Sequence, residues 1–258
     1  MLTAHTVAMA LTSGAIVGAL LALFGGGGSV LATPLLLYAV GVPDPHVAIG
    51  TSAAAVAFNA VANLVGHWRS GRVKWPCAGV FALAGLAGSL LGSSLAKAVD
   101  GKRLLLLFAA AMAAIALSMF RRPRSEGNPG VSITWPLAAR LGPMGAATGF
   151  AAGFFGIGGG FLIVPGLMAA AGMTLANASA SSLVSVALFG AATSLNYAAS
   201  GLVDWPIAGL FVIGGIAGGA VGLRGARILA VRAHLARQLF AGLVMLVAGY
   251  VAWRSLNG

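Results

Sequence analysis

Apolar residues run in long blocks along the chain, broken by short clusters of Gly, Pro and basic residues. A membrane-spanning helix needs about 20 such residues. The blocks predict long helices near 6 to 24, 47 to 67, 74 to 96, 102 to 120, 136 to 155, 178 to 198, 205 to 227 and 236 to 254. Two further apolar pieces, 30 to 41 and 161 to 172, are too short to cross a ~30 Å hydrocarbon layer as straight helices. The segment RRPRSEGNPGVSITW, residues 121 to 135, is the only long polar stretch and is the natural linker. The first helix follows no basic n-region and runs apolar beyond signal-peptide length, which predicts that it is retained.

The pattern occurs twice. FGGGGSVLATPLL (24 to 36) aligns with FGIGGGFLIVPGL (155 to 167) at an offset of 131, pairing Phe24 with Phe155, Gly27 with Gly158, Gly28 with Gly159 and Pro34 with Pro165. At an offset of 130, Ser52 then pairs with Ser182, Ser70-Gly71 with Ser200-Gly201, Trp75-Pro76 with Trp205-Pro206, Gly85 with Gly215 and Gly88 with Gly218. Gly- and Ala-rich helices resemble one another by chance, but chance does not repeat a WP pair and a GG-x5-P block in one order. The expected organisation is an N-terminal transmembrane repeat over 1–120, a cytoplasmic linker over 121–135 and a C-terminal transmembrane repeat over 136–258, each repeat with four long helices and one short broken helix.

Composition narrows the class. Hydrophobic residues make up 59% of the 258 and charged residues 7%, against roughly 25% charged in a soluble domain. That excludes a water-soluble globule and leaves an all-α polytopic membrane protein whose principal partner is the lipid bilayer. The net charge of +11 would suggest a nucleic-acid partner in a soluble chain. Here the cations cluster between apolar runs, where they set topology, and no nucleic acid is expected. If each half crosses the membrane four times, the 15 Lys and Arg split 7 against 8 and orient nothing. If 6 to 24 and 30 to 41 instead form a hairpin, and likewise in the second half, the cations concentrate. Arg69, Arg72, Lys74, Arg121, Arg122, Arg124, Arg140, Arg224, Arg227, Arg232 and Arg237 then share one face, leaving Lys97, Lys102, Arg103 and Arg254 on the other. The positive-inside rule therefore favours inverted halves, with the linker in the cytoplasm and both termini outside. Asp204 then faces outward where Arg72 and Lys74 face inward.

The two Gly-rich blocks are the candidate chemistry. Glycine permits the sharp reversal and leaves backbone N–H groups uncovered. Ser29 is placed to cap the first short helix, and Pro34 and Pro165 fall in the first turns. Irregular backbone at membrane depth persists only where it is buried in protein or lines a cavity. The N–H groups and positive helix ends at Gly27, Gly28, Ser29, Gly158, Gly159 and Gly160 therefore form a potential midplane anion site approached from opposite faces. Packing alone would explain the dispersed Gly85, Gly88, Gly92, Gly215, Gly218 and Gly222.

Polar residues on the helix after each block extend the lining: Thr51, Ser52, Asn59 and Asn63 in the first half, Ser181 and Ser182 in the second, with Ser185, Thr193, Asn196 and Tyr197 further along. Each alone is equally well interhelical glue. His67, beside Trp68 and Arg69, is an interfacial anchor or else the gate or proton carrier. Asp44, Asp100, Glu126 and Asp204 fall in turns or the linker, which supports no carboxylate proton relay. Cys77 is the sole cysteine, and His5, His46 and His234 have no metal-ligand spacing, so neither a metal nor a cofactor is expected. No catalytic triad, HExxH or paired carboxylate is present, and no enzyme activity is expected.

With GGGGSVLATP, AIGTSAAAV and GFFGIGGGFLIVP followed by SASSLVSV, the sequence resembles the TauE/SafE family of bacterial membrane proteins, described as sulfite exporters and sulfonate permeases. The resemblance covers essentially the whole chain. Gly25, Gly27, Gly28 and Pro34, then Gly156, Gly158, Gly159, Gly160 and Pro165, match the two family signatures, and Thr51-Ser52 match its TS pair. Ser181-Ser182 stand where TS is usual, and Ser29 replaces an apolar residue or Gly. The resemblance implies transport of sulfite or organosulfonates across the bacterial inner membrane. The residues themselves say only small anion and broken helices. The expected function is secondary transport by alternating access, with an anion channel or a non-transporting membrane accessory subunit or enzyme as alternatives; a homo-oligomer is compatible with either.

Overall fold

The computed structural model describes residues 3–120, 127–156, 160–229 and 233–257, and these are almost entirely helical. Helix α1 spans Ala4–Phe24, α2 Ala32–Leu35, α3 Pro45–Arg69, α4 Trp75–Ala96 and α5 Gly101–Phe120. After the linker come α6 Trp135–Phe155, α7 Gly160–Ala171, α8 Leu175–Ala198, α9 Trp205–Leu229 and α10 Ala233–Asn257. Among the described residues, Ala4–Val40, Pro45–Arg69, Trp75–Ala96, Leu175–Ala198 and Trp205–Gly225 form five apolar stretches long enough to cross a membrane. The chain is thus an all-α multi-pass membrane protein.

Local chemistry sets the boundaries. Thr3 accepts from the Thr6 N–H, Asp44 from His46 N–H and Thr174 from Asn177 N–H, so a hydroxyl or carboxylate caps α1, α3 and α8. Proline occupies the first turn of α3, α4 and α6, where its missing N–H costs little. α1 stops at Gly25 (φ 62) and α6 at Gly156 (φ 64), values that favour glycine.

The piece expected as one short helix over 30 to 41 is instead three joined segments. Gly25–Leu31 is a 3-10 helix, α2 follows, and Leu36–Val40 is a π turn. Four consecutive glycines let the chain wind tightly, and Pro34 withholds the N–H that a regular α-helix would give to the carbonyl of Val30. Ser29 caps no helix; its hydroxyl donates to the Gly26 carbonyl at 2.8 Å inside that 3-10 segment.

The principal helix pairs join elements before the linker to elements after it: α1 with α9, α4 with α6, α3 with α8, and α5 with α10. In the first two pairs backbones nearly touch. Gly14 and Gly18 lie on Phe211 and Gly215, while Gly214 and Gly218 lie on Leu11 and Ala15. Residue numbers rise together along this contact, so α1 and α9 run parallel. Gly145, Gly149 and Gly153 lie likewise on Phe81, Gly85 and Ser89, so α4 and α6 also run parallel. In α3 and α8 the numbers run oppositely: Gly50 meets Leu202 and Tyr197, and Gly190 meets Ala53 and Ala57. Residues such as Phe58, Leu83, Leu91, Leu195, Ile213 and Leu246 remain exposed on the outside of the bundle, as lipid-facing positions do. Tyr38 in the π turn is pinned to α10 by an edge contact with Tyr250 at 5.3 Å and by the Arg254 guanidinium at 5.6 Å.

A Cβ at Gly18 or Gly149 would penetrate the facing backbone, which cannot yield as a side-chain tip can. Gly18→Leu and Gly149→Leu should each cost more than the ~1–3 kcal/mol usual for overpacking and abolish monodisperse protein in detergent chromatography. Gly79→Ala, with nothing within 4 Å, should behave as the parent.

Candidate functional site

The site is organised by two pairs of adjacent hydroxyls, one near the start of α3 and one near the start of α8. Thr51 accepts from the Asp204 N–H at 2.9 Å, while Ser52 donates to the Gly156 carbonyl at 3.3 Å. On α8, Ser181 accepts from the Lys74 N–H at 2.9 Å and Ser182 from the Gly26 N–H at 2.9 Å. In each pair one hydroxyl holds the loop that leads into α9 or α4. The other holds the backbone at a glycine break, where α6 or α1 ends. All four bonds cross between the chain before the linker and the chain after it.

Each hydroxyl is placed by its own helix. Ser52 shares its one proton between the Gly156 carbonyl and that of Ile49, one turn back at 2.9 Å, and Ser182 donates to the Ser179 carbonyl, also one turn back, at 2.7 Å. Thr33 of α2 shares a 2.8 Å hydrogen bond with Ser52 and so ties the short helix into the same cluster. Thr51, Ser52, Ser181 and Ser182 are fully buried, and so are Gly25 through Leu31.

The glycine breaks differ from expectation in depth and in exposure. Gly25 lies against Ser179 and Gly156 against Ile49, level with the opening turns of α8 and α3 and not with their middles. α1 has 21 residues, about 31 Å at 1.5 Å per residue, so it has nearly crossed the layer when it stops. The first glycine block is not an open cradle: Gly28 lies on the Leu20–Leu21 backbone of α1, and the Gly26 N–H is taken by Ser182. From the breaks, the 3-10 segment and α7 run inward and pack against each other. Gly158 and Gly159 lie outside the described residues; Gly160 opens α7.

The Asn59, Asn63 and His67 stripe points elsewhere, toward α9 and the end of α1. Asn59 lies over Gly215 and Asn63 over Gly219, with Asn63 Nδ2 donating to the Asn59 carbonyl at 2.9 Å. His67 Nε2 donates to the Ala22 carbonyl at 3.0 Å, three residues before the break. Both amide atoms of Asn59, the Ser185 hydroxyl and the Tyr197 hydroxyl are buried without a hydrogen-bond partner. Thr193 and Asn196 face α4: Thr193 bonds Ser89 at 3.1 Å and Asn196 Nδ2 donates to Ser93 at 2.7 Å. The Lys97 ammonium donates to the Asn196 side chain and carbonyl and to Ser200, closing the α4–α8 corner.

Thr33, Ser89 and Ser179 escaped the sequence reading. Thr33 carried a signal, since it directly precedes Pro34 in the signature block. Ser89 and Ser179 stand among small residues and had none. Among the described residues, no group of three or more His, Cys, Asp or Glu converges as for a metal. A cavity of about 290 Å³ lies between the start of α1, the loop before α3 and the start of α9, bordered by Thr6, Gly41, Asp44, Val47, Asp204 and Ile207.

The family model for Sulfite exporter TauE/SafE matches residues 10–251. Two probable membrane transporter proteins of Xylella fastidiosa, from strains Temecula1 and 9a5c, are 49% and 48% identical to the chain, each alignment covering 98% of both sequences. The probable membrane transporter protein YunE of Bacillus subtilis is 27% identical over 81% of the chain and 84% of its own length. No solved structure matches.

Ser182→Ala strands the buried Gly26 N–H. It should cost about 1–3 kcal/mol, the penalty for an unsatisfied buried donor, seen as a lower unfolding midpoint in detergent. An unchanged midpoint would mean that this hydroxyl does not hold the break.

Proposed function

The chain belongs to the TauE/SafE family of membrane transporters, and from that premise we propose a secondary transporter of small anions, sulfite or organosulfonates, in the bacterial inner membrane. It works by alternating access between two inverted halves, and the anion binds between the glycine breaks, where the 3-10 segment and α7 meet. The observation that carries this reading is the reciprocal clamp. Thr51-Ser52 of α3 grip the Asp204 loop and the Gly156 break, as Ser181-Ser182 of α8 grip the Lys74 loop and the Gly26 backbone. The Thr51–Asp204 and Ser181–Lys74 bonds exchange with one another when the halves are superposed at an offset of 130, while Ser52 and Ser182 hold the two breaks in different ways, one through the Gly156 carbonyl and the other through the Gly26 N–H. Breaking one pair while keeping the other opens one face at a time, which is what alternating access requires.

Inversion has independent support. Halves of equal orientation would run α3 and α8 the same way, whereas these helices are antiparallel. Three pairs of positive-φ glycines, Gly25 with Gly156, Gly41 with Gly172 and Gly71 with Gly201, recur at the same offsets. Parallel α1 and α9, with parallel α4 and α6, follow from the hairpin topology that puts eleven cations on the cytoplasmic face. Backbone N–H groups freed at Gly26–Ser29, and at Gly158–Gly160 in the second half, would supply the anion's hydrogen bonds once the clamps release, with Thr51, Ser52, Ser181 and Ser182 completing the lining. Asn59 and Asn63 extend this polar path along α9. His67, bound beside the Gly25 break, is the gate or the proton carrier.

Purified protein in liposomes should take up labelled sulfite or sulfoacetate saturably and show counterflow. Ser52→Ala and Ser182→Ala should each reduce the flux about tenfold, the factor to which the ~1–3 kcal/mol penalty for a stranded buried partner corresponds, while the protein remains monodisperse. Gly28→Leu is a poor probe, since its side chain meets the α1 backbone. A pH gradient that drives uptake in the parent and fails to do so in His67→Gln assigns the proton to the imidazole. Linear, non-saturating flux would identify a channel and end the alternating-access reading.

A further inference from the structure

The two clamps are alike in geometry and opposite in charge. The hydroxyl of Thr51 holds the backbone N–H of an aspartate, Asp204, and the hydroxyl of Ser181 holds the backbone N–H of a lysine, Lys74, both at 2.9 Å. These residues correspond in the two halves, each closing the loop before a Trp-Pro helix start. Both side chains are half-buried. The Asp204 end carries a second carboxylate, Asp44, and the two border the same 290 Å³ cavity. Among the described residues the carboxylates bond only backbone N–H groups, Asp44 that of His46 at 2.7 Å and Asp204 that of Ile207 at 3.0 Å, and no ion pair neutralises either charge. Of the cations assigned to that face, Lys97 is committed to Asn196 and Ser200, Lys102 and Arg103 follow Gly101 at the start of α5 where it lies on Pro45, and neither these nor Arg254 border the cavity. At the Lys74 end stand Arg69 and Arg72 in the same short loop.

We propose that Asp204 and Lys74 make the transporter's affinity sided, tight for anions at the Lys74 mouth and weak at the Asp204 mouth. This rests on the anion-transport reading above. A cationic mouth concentrates an approaching anion and a carboxylate-lined mouth repels it, and low-dielectric walls strengthen both effects. A binding step that depends on the mouth raises or lowers the substrate concentration at half-maximal flux on its own side only. The direction of net transport still follows the driving gradient, but pick-up is favoured at the cytoplasmic face and release at the outer face. Neither side chain needs to touch the anion: each acts through the field at its entrance, and each backbone N–H keeps its structural bond to the clamp.

The test uses inside-out and right-side-out membrane vesicles from the same cells, loaded from outside with labelled sulfite or sulfoacetate. In the parent, KM should be about tenfold lower for inside-out vesicles, an electrostatic concentration effect of ordinary size, and the difference should shrink in ~1 M of a non-transported salt, where the Debye length is about 3 Å. Asp204→Asn keeps an acceptor for the Ile207 N–H and should lower KM only in right-side-out vesicles. Lys74→Gln should raise KM only in inside-out vesicles. The double reversal Lys74→Asp with Asp204→Lys should invert the ratio. Equal KM on both sides of the parent, or a ratio that none of the substitutions moves while flux stays normal, overturns the proposal and leaves anion transport standing. Absence of saturable flux of either anion in the parent overturns both.

Discussion

Helices in lipid have no hydrophobic reason to prefer one another over the acyl chains, so they associate through close van der Waals packing and interhelical hydrogen bonds. Everything in this bundle follows from how that packing is achieved. Gly14, Gly18, Gly214 and Gly218 on one flank, and Gly85, Gly145, Gly149 and Gly153 on the other, bring α1 onto α9 and α4 onto α6 with backbones almost touching. These two seams hold α3 and α8 between them at a separation where a serine or threonine hydroxyl reaches a backbone atom of the neighbouring half. The clamps exist because the seams set their distance.

That arrangement separates permanence from change. The glycine seams have no soft side chains to rearrange and behave as rigid joints. The clamps are single hydrogen bonds, each with a net value near 1 kcal/mol, within reach of the differential affinity a bound ligand can supply. Asn59 and Asn63 lie along the border between the two, polar groups laid on Gly215 and Gly219. At the corresponding places on the other flank, Phe189 lies over Gly85 and Thr193 bonds Ser89. The backbone frame is thus shared by both flanks while their polar content has diverged.

Much of this was legible in the chain. The eight long helices begin and end within a few residues of the positions that apolar periodicity and the Pro and Gly signals indicate, because in a membrane the hydrocarbon thickness fixes helix length independently of tertiary detail. The adjacency of Thr51-Ser52 and Ser181-Ser182 to the glycine blocks was visible as well. What each hydroxyl binds was not, since Asp204 and Lys74 lie far away in sequence and are met through their backbone, which no residue type announces. Nor could the sequence show that Gly25–Leu31 winds as a closed 3-10 segment: four glycines permit an open loop and a tight helix equally, and the choice was made by Ser182 and by the α1 backbone behind Gly28. The stripe from Asn59 to His67 was correctly grouped by its spacing of four, but periodicity fixes a face and leaves open which neighbour that face meets.

The crossing of partners between α1 and α9, and between α4 and α6, has a consequence for how the protein is made. The first four helices of the chain enter the membrane before either of these two partners has been synthesised. Until α6 and α9 arrive, the glycine grooves of α1 and α4 can be filled only by lipid or by insertion machinery. The first half therefore cannot complete its packing during its own synthesis, and assembly waits for nearly the last helix. A chain cut short before α9 lacks the one surface that fits the glycine groove of α1.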